Sequence, residues 1–191
     1  MTIYNVLKNA DTIIDAVFED CDLKYVRIPK SIVNIKSFAF SGCENIEKLI
    51  VDDDNPKFKS VDGVIFSTDG SILYKLPATY GQTKYVIPFG VKQIAKYAFH
   101  DCTNITQVIV PETVESIEKK AFSCKSLKSI TIEGNGLKSI GQWSFSFCES
   151  LTKIIIPESV TYIGEYAFYE CSKLKEITLP NNLKGIADDM L

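Results

Sequence analysis

An α/β solenoid, in which one coil returns about every 23 residues, is the fold class this chain predicts. Three observations carry that reading. Phe18, Phe40, Phe99, Phe122, Phe145 and Phe168 follow one another at intervals of 22, 59, 23, 23 and 23 residues, the 59 being one ordinary period plus a longer unit. Between them the apolar slots keep a fixed order, best seen in Leu151-Thr-Lys-Ile154-Ile-Ile156-Pro157-Glu-Ser-Val160-Thr-Tyr-Ile163-Gly-Glu-Tyr-Ala167-Phe168-Tyr-Glu-Cys171. Within each unit the period also changes. Leu151 to Ile156 alternates as a strand does, whereas Val160 to Cys171 is spaced more widely and predicts short helical or 3-10 turns on the opposite face.

Taken in order, the units number eight. Met1, Tyr4, Val6, Ala10, Ile13, Val17, Phe18 and Cys21 hold the spacing but lack the proline, as a worn capping unit does. Leu23, Val26, Ile28, Pro29, Ile32, Ile35, Ala39, Phe40 and Cys43 form the first complete unit. The third, 46–81, is enlarged. Its Val64-Ile-Phe66, Ser67-Thr-Asp-Gly70 and Ile72-Leu-Tyr74 predict a β-hairpin insertion turning at a glycine. After the unit of Phe99 the pattern resumes with Ile105, Val108, Val110, Pro111, Val114, Ile117, Ala121 and Phe122. In the unit opened by Leu127, Glu133 replaces the proline and Glu133-Gly-Asn-Gly136 adds one residue; the shortened Phe122–Cys124 step compensates, so Phe145 returns to phase. The last unit, Leu174, Ile177, Leu179, Pro180, Leu183 and Ile186, ends with Met190 and Leu191 in the Ala-Phe slots. No linker or charge block interrupts the series, so 1–191 reads as a single domain.

The pattern L-x-x-I-x-I-P-x-x-V-x-x-I-x-x-x-A-F-x-x-C, recurring over essentially the whole chain, resembles the BspA-like leucine-rich repeat family. The long unit, with Asn55-Pro-Lys-Phe58, Ser60 and Asp62-Gly-Val-Ile-Phe66, is similar to the extended unit of that family. The resemblance implies a leucine-rich-repeat solenoid with a right-handed parallel β-sheet. It further implies adhesion or protein recognition at the surface of host-associated microbes, a secreted or cell-surface location, and no catalytic residues.

The bulk properties narrow the function classes. An apolar fraction of 46% suffices for an elongated core. A net charge of −3, with lysines and acids interspersed, gives no basic stripe for nucleic acid. No apolar run approaches the ~18 residues of a spanning helix, so no transmembrane segment is expected. The segment Met1-Thr-Ile-Tyr-Asn-Val-Leu-Lys-Asn has no basic start and no signal-peptide apolar stretch. A fragment or processed form and a cytoplasmic protein both remain open. The apolar edge of the last unit (Ile177, Leu179, Leu183, Ile186) predicts a longer parent chain or weak end-to-end self-association.

Few residues suggest chemistry. Cys21, Cys43, Cys102, Cys124, Cys148 and Cys171 share one slot, which predicts an inward column of reduced thiols about 4.8 Å apart that donate weakly to loop carbonyls. Disulfides between adjacent turns are allowed by Cα separation but not favoured by parallel Cβ vectors. Zinc is weaker still, because no C-x-x-C pair exists and His100 is the sole histidine. His100 occupies a slot filled elsewhere by Glu19, Ser41, Ser123, Ser146 and Tyr169, which reads as a solvent position rather than a general base. Asp52-Asp-Asp54-Asn55 could offer oxygens to calcium, yet Pro56 and Lys57 break any EF-hand arrangement, and local turn capping is the better reading. No cofactor or metal is implied, and no glycine cluster makes a phosphate cradle.

Two surfaces remain as candidates for a protein or host-surface ligand. Strand alternation sends one column outward through Tyr25, Lys48, Lys84, Gln107, Ser129, Lys153 and Glu176. A second runs through Arg27, Ile50, Val86, Ile109, Thr131, Ile155 and Thr178. The alternative is an aromatic patch of Trp143, Phe147, Tyr162, Tyr166 and Tyr169, with Tyr97 in the Trp143 slot two turns earlier. The sequence therefore predicts a non-enzymatic recognition or adhesion module. The competing class is a structural spacer within a larger surface protein.

Overall fold

The computed structural model describes residues 9–18, 21–184 and 189. Ile186, Met190 and Leu191, and the first residues of the capping unit, lie outside these, as does Glu19. The chain runs as a β-solenoid whose coils alternate a long strand with a two-residue strand. The long strands are β2 (Tyr25–Ile28), β4 (Lys48–Val51), β8 (Lys84–Val86), β10 (Gln107–Val110), β12 (Ser129–Ile132), β14 (Lys153–Ile155) and β16 (Glu176–Thr178). The short ones are β1 (Thr12–Ile13), β3 (Asn34–Ile35), β9 (Gln93–Ile94), β11 (Ser116–Ile117), β13 (Ser139–Ile140) and β15 (Tyr162–Ile163). The enlarged unit supplies β5 (Phe58–Val61), β6 (Val64–Ser67) and β7 (Ile72–Lys75).

Equivalent strands of neighbouring coils pair in parallel and in register, as a solenoid of near-identical units requires. Tyr25 faces Lys48, Lys84 faces Gln107, Gln107 faces Ser129, and Lys153 faces Glu176. The long-strand face is nonetheless laid down in three sections: β2-β4, β8-β10-β12 and β14-β16. The first interruption is the enlarged unit. There β5, β6 and β7 form an antiparallel meander, and β7 then pairs in parallel with β9, so that β7 continues the short-strand ladder through to β15. The predicted β6–β7 hairpin is present. A second turn, Asp62-Gly63, precedes it with φ of 52° and 82°, the paired positive values that a two-residue hairpin needs. The second interruption follows β12, where the Glu133–Gly136 insertion falls.

The turns opposite the long strands contain no helix among the described residues, which corrects the expectation of helical or 3-10 segments there. The reason lies in the backbone. Tyr97, Lys120, Trp143 and Tyr166, each in the same slot, have φ between 53° and 60°. A left-handed residue at this slot, repeated at Ala16 though not at Phe38, stops the run of right-handed conformations that a helix needs. Successive three-residue closures take its place, as in Ala98 N–H to Ala95 O and His100 N–H to Tyr97 O. The backbone groups freed by the missing helix bond across coils instead, with Phe99 N–H to Ala121 O at 2.7 Å, Phe122 N–H to Ser144 O at 2.7 Å and Phe145 N–H to Ala167 O at 2.8 Å.

Phenylalanine rings form the spine. Phe122 and Phe145 stack with centroids 5.1 Å apart and planes 2° from parallel; Phe145 and Phe168 follow at 5.4 Å and 3°. Phe18–Phe40 and Phe99–Phe122 stack likewise at 5.5 and 4.6 Å. The enlarged unit has no ring at this level, and the core divides there into two clusters. Strand β6 is buried on both faces and serves both: Ile65 packs with Ile13 to Phe58, whereas Val64 and Phe66 pack with the cluster that runs on to Phe168. No helix among the described residues is long and apolar enough to cross a membrane.

Candidate functional site

The strand face exposes most members of both predicted columns, with Gln107 and Ile109 half-buried. Within each section the pairings hold: Tyr25 with Lys48 and Arg27 with Ile50, then Lys84 with Gln107 and Val86 with Ile109, then Lys153 with Glu176 and Ile155 with Thr178. The breaks in the sheet separate these groups, so the columns are not continuous.

Many polar members are engaged across strands. The Arg27 guanidinium meets Asp52 at 2.7 Å, Lys153 meets Glu176 at 2.6 Å, and the Tyr25 hydroxyl donates to Glu47 at 3.0 Å. That hydrogen bond, with the Glu47 charge, raises the Tyr25 pKa, and Lys24 and Tyr25 together lower that of Glu47. The apolar members are left facing outward: Ile50 is 41% exposed, Val86 55% and Ile155 55%. Among the described residues the most exposed large apolar side chain is Phe89, at 77%, in a slot that holds Lys30, Glu112 and Glu158 in other coils. Sequence reasoning passed over it, although its misfit with those charged counterparts was readable.

Four of the five aromatic residues come together. Trp143 and Tyr166 stack at 4.4 Å, and Tyr169 meets Trp143 edge-on at 5.3 Å and Phe147 at 5.6 Å. Lys120 lies over the Trp143 ring, 5.8 Å from its centre. Tyr162 stands on β15, exposed, and makes none of these ring contacts. The Tyr166 hydroxyl donates to Asp189 at 3.1 Å, so this shelf is partly tied to the chain beyond it.

His100 is not the solvent position expected. Its side chain is only 18% exposed and packs edge-on against Tyr97 and Phe38, rings that lie beside the missing spine level. Its Nδ1 stands 2.8 Å from Asp101 Oδ2, off the line of a hydrogen bond. Beneath it lies a residue the repeat pattern could not reveal. Lys75 is buried, its amine donating to the carbonyls of His100 at 2.6 Å and Tyr97 at 3.3 Å. Burial draws the Lys75 pKa down, with Cys102 and Asp101 in partial opposition. Burial pushes the Asp101 carboxyl up, but His100, the Gly42 N–H and Lys75 outweigh it and hold it below the usual range. The group lies beside Phe40, around a small cavity that Lys75, Tyr97 and His100 also line.

The remaining candidates are structural. Asn55 is buried and donates to the Pro29 and Ile32 carbonyls while accepting from Lys57 and Phe58 N–H, which is turn capping. Asp52 and Asp54 are ion-paired to Arg27 and Lys30. Each cysteine from Cys43 onward donates to a carbonyl of the preceding coil, as Cys43 does to Phe18 at 2.7 Å and Cys148 to Phe122 at 2.8 Å. All six thiols are free, and burial pushes Cys102 and Cys148 well above the usual thiol range. Among the described residues no His, Cys, Asp and Glu cluster converges on a metal position.

Comparison with known proteins agrees with this geometry. The BspA type leucine-rich repeat region matches residues 1–75 and 77–191 in six copies. A leucine-rich cell surface protein from Faecalibacterium prausnitzii superposes with a TM-score of 0.83 at 25% identity, over 95% of this chain and 54% of its own. The pneumococcal vaccine antigen PcpA gives 0.77 at 28% identity, over 84% of this chain and 40% of its own. A leucine-rich repeat protein from Bacteroides capillosus gives 0.56 at 29% identity, over 64% of this chain and 97% of its own. The chain thus spans about half the length of the first two. A search among functionally curated proteins returns no match. With a repeat model matching nearly every residue, and coils that stack as that repeat requires, the chain belongs to the BspA-type leucine-rich repeat family.

Proposed function

We propose that this chain is a non-enzymatic recognition module that binds a protein ligand at a cell surface, working outside the cell that makes it. The observation that carries the reading is the exposed apolar set on the strand face, Ile50, Val86 and Ile155, left outward while the charged side chains of Arg27 and Asp52, and of Lys153 and Glu176, pair with each other. Similarity to a leucine-rich cell surface protein supports the location. A structural spacer is the second reading, favoured by the break of the face into three sections and by the longer relatives of which this chain covers only part.

The test is adhesion in a flow cell. The immobilised chain is challenged with epithelial cells and with purified matrix proteins, beside an Ile50→Lys/Ile155→Lys double variant and a Trp143→Ala/Tyr166→Ala double variant. Retention by the wild type, lost about tenfold or more in the first variant and kept in the second, supports the strand face. Loss in the second variant alone moves the site to the aromatic shelf. No retention on any surface favours the spacer.

A further inference from the structure

The enlarged unit leaves a strand edge open in the middle of the molecule. In the section β8-β10-β12, Gln107 N–H bonds to Thr83 O and Ile87 N–H to Ile109 O, so the odd-numbered backbone groups of β8 face β10. Those of Lys84 and Val86 therefore face the other way, where a regular solenoid would place β4. Strand β4 is not there for them. Its own edge is taken by the meander, with Leu49 N–H bonding to Gly63 O at 3.0 Å and Val51 N–H to the Ser60 hydroxyl at 3.0 Å. No described strand other than β10 approaches β8. Two N–H and two C=O groups thus stand without a partner among the described residues.

They look into a groove between β8 and the meander. One cavity of about 460 Å³ is lined by Val61, Asp62 and Phe66 on one side and by Lys84, Val86 and Pro88 on the other. A second, of about 280 Å³, shares Val61, Phe66 and Pro88 and continues past Phe89 to Gly70. Val61, Phe66, Val86, Pro88 and Phe89 make an apolar strip along it, with Asp62 and Lys84 at one end and Lys59 and Asp69 at the other, and Val61, Val86 and Phe89 are all exposed.

We infer that this groove binds an extended peptide segment of a partner protein, which adds as a strand to the open edge of β8 and rests an apolar side chain among Val61, Val86 and Phe89. The deduction rests on the recognition reading above and narrows its ligand. Unpaired backbone donors and acceptors repeating every second residue are matched at that spacing by another extended backbone, and the apolar strip of Val61, Val86 and Phe89 favours a β-branched or aromatic side chain. Pairing with a second copy through the same edge is disfavoured, because the meander walls the groove and two Lys84 ammonium groups would be brought together.

The experiment uses the full chain and a phage-displayed library of linear heptapeptides, with counter-selection on Val86→Pro. That substitution removes one unpaired N–H and breaks no native hydrogen bond, so the fold is retained. If it does not fold, Phe89→Glu replaces it, the native ring being largely in water. The recovered peptide should bind the wild type at least about tenfold more tightly than the variant. N-methylation at alternate peptide positions should abolish binding in one parity only, and the Lys84 and Val86 amides should exchange more slowly in the complex. Peptides that bind both proteins equally, or leave those two amides unchanged, overturn the proposal, as does failure to enrich any peptide. Slowed exchange that depends on protein concentration without peptide would show self-pairing and also overturn it. Adhesion in the flow cell that survives Val86→Pro removes the groove while leaving the recognition reading intact.

Discussion

Phe145 sits between two parallel rings, and neither neighbour can close on the space it fills without moving a whole coil. Phe145→Ala should therefore cost about 3–5 kcal/mol, lost burial and residual cavity together. A denaturant melt showing a loss below about 1 kcal/mol would contradict the spine. Lys75 gives a prediction of a different kind. Its folded-state pKa is lowered, so between that value and the ordinary one, near about 10.4, the unfolded chain holds the extra proton. Stability then rises with pH across that window, and the penalty of the buried charge is greatest below it. Measured against Lys75→Met, the wild type should gain stability as pH rises from about 8 to about 10. A flat difference would mean that Lys75 keeps its charge at no cost. Neither the burial of Lys75 nor the packing of His100 was legible in the sequence. Both arise where the enlarged unit places no ring in the phenylalanine spine, so no other unit supplies a template for them.

At the level of elements, repetition made the sequence readable and its interruption made it misleading. The phenylalanine spine, the thiol column and the β6–β7 hairpin follow from slots that recur or from a glycine-containing turn. The outer turns do not. Their wide spacing resembles a helix, but spacing does not report the left-handed residue that most coils place at the Tyr97, Lys120, Trp143 and Tyr166 slot. The thiol column yields a prediction. Native protein should label few of its six cysteines, while unfolded protein without reductant should label all six, since every thiol is free and most are buried. A count near zero after unfolding would mean bridges between coils. The meander turn yields another. Gly63 has φ of 82° and lies against Lys48, where an added methyl group would meet atoms 3.2 Å away. Gly63→Ala should lower stability by about 1–2 kcal/mol, and an unchanged melt would place the turn in another conformation.

On the scale of the whole molecule, one enlarged unit divides the core, breaks the strand face and sets the character of the surface. Its chain could be read as an insertion from the sequence, but its effect on the neighbouring coil could not, because Lys84 and Val86 occupy ordinary slots of an ordinary unit. Their difference is one of pairing, visible only once β4 is seen to spend its edge on the meander. The claim on which this account turns is that the parallel ladder is open at β8, and residue-resolved amide hydrogen exchange of the free protein tests it directly. The amides of Tyr85 and Ile87 should be protected and those of Lys84 and Val86 should exchange freely, while Gln107 to Val110 on the interior strand β10 are protected throughout. Equal protection of all four amides from Lys84 to Ile87 would show that the ladder is closed and contradict the account.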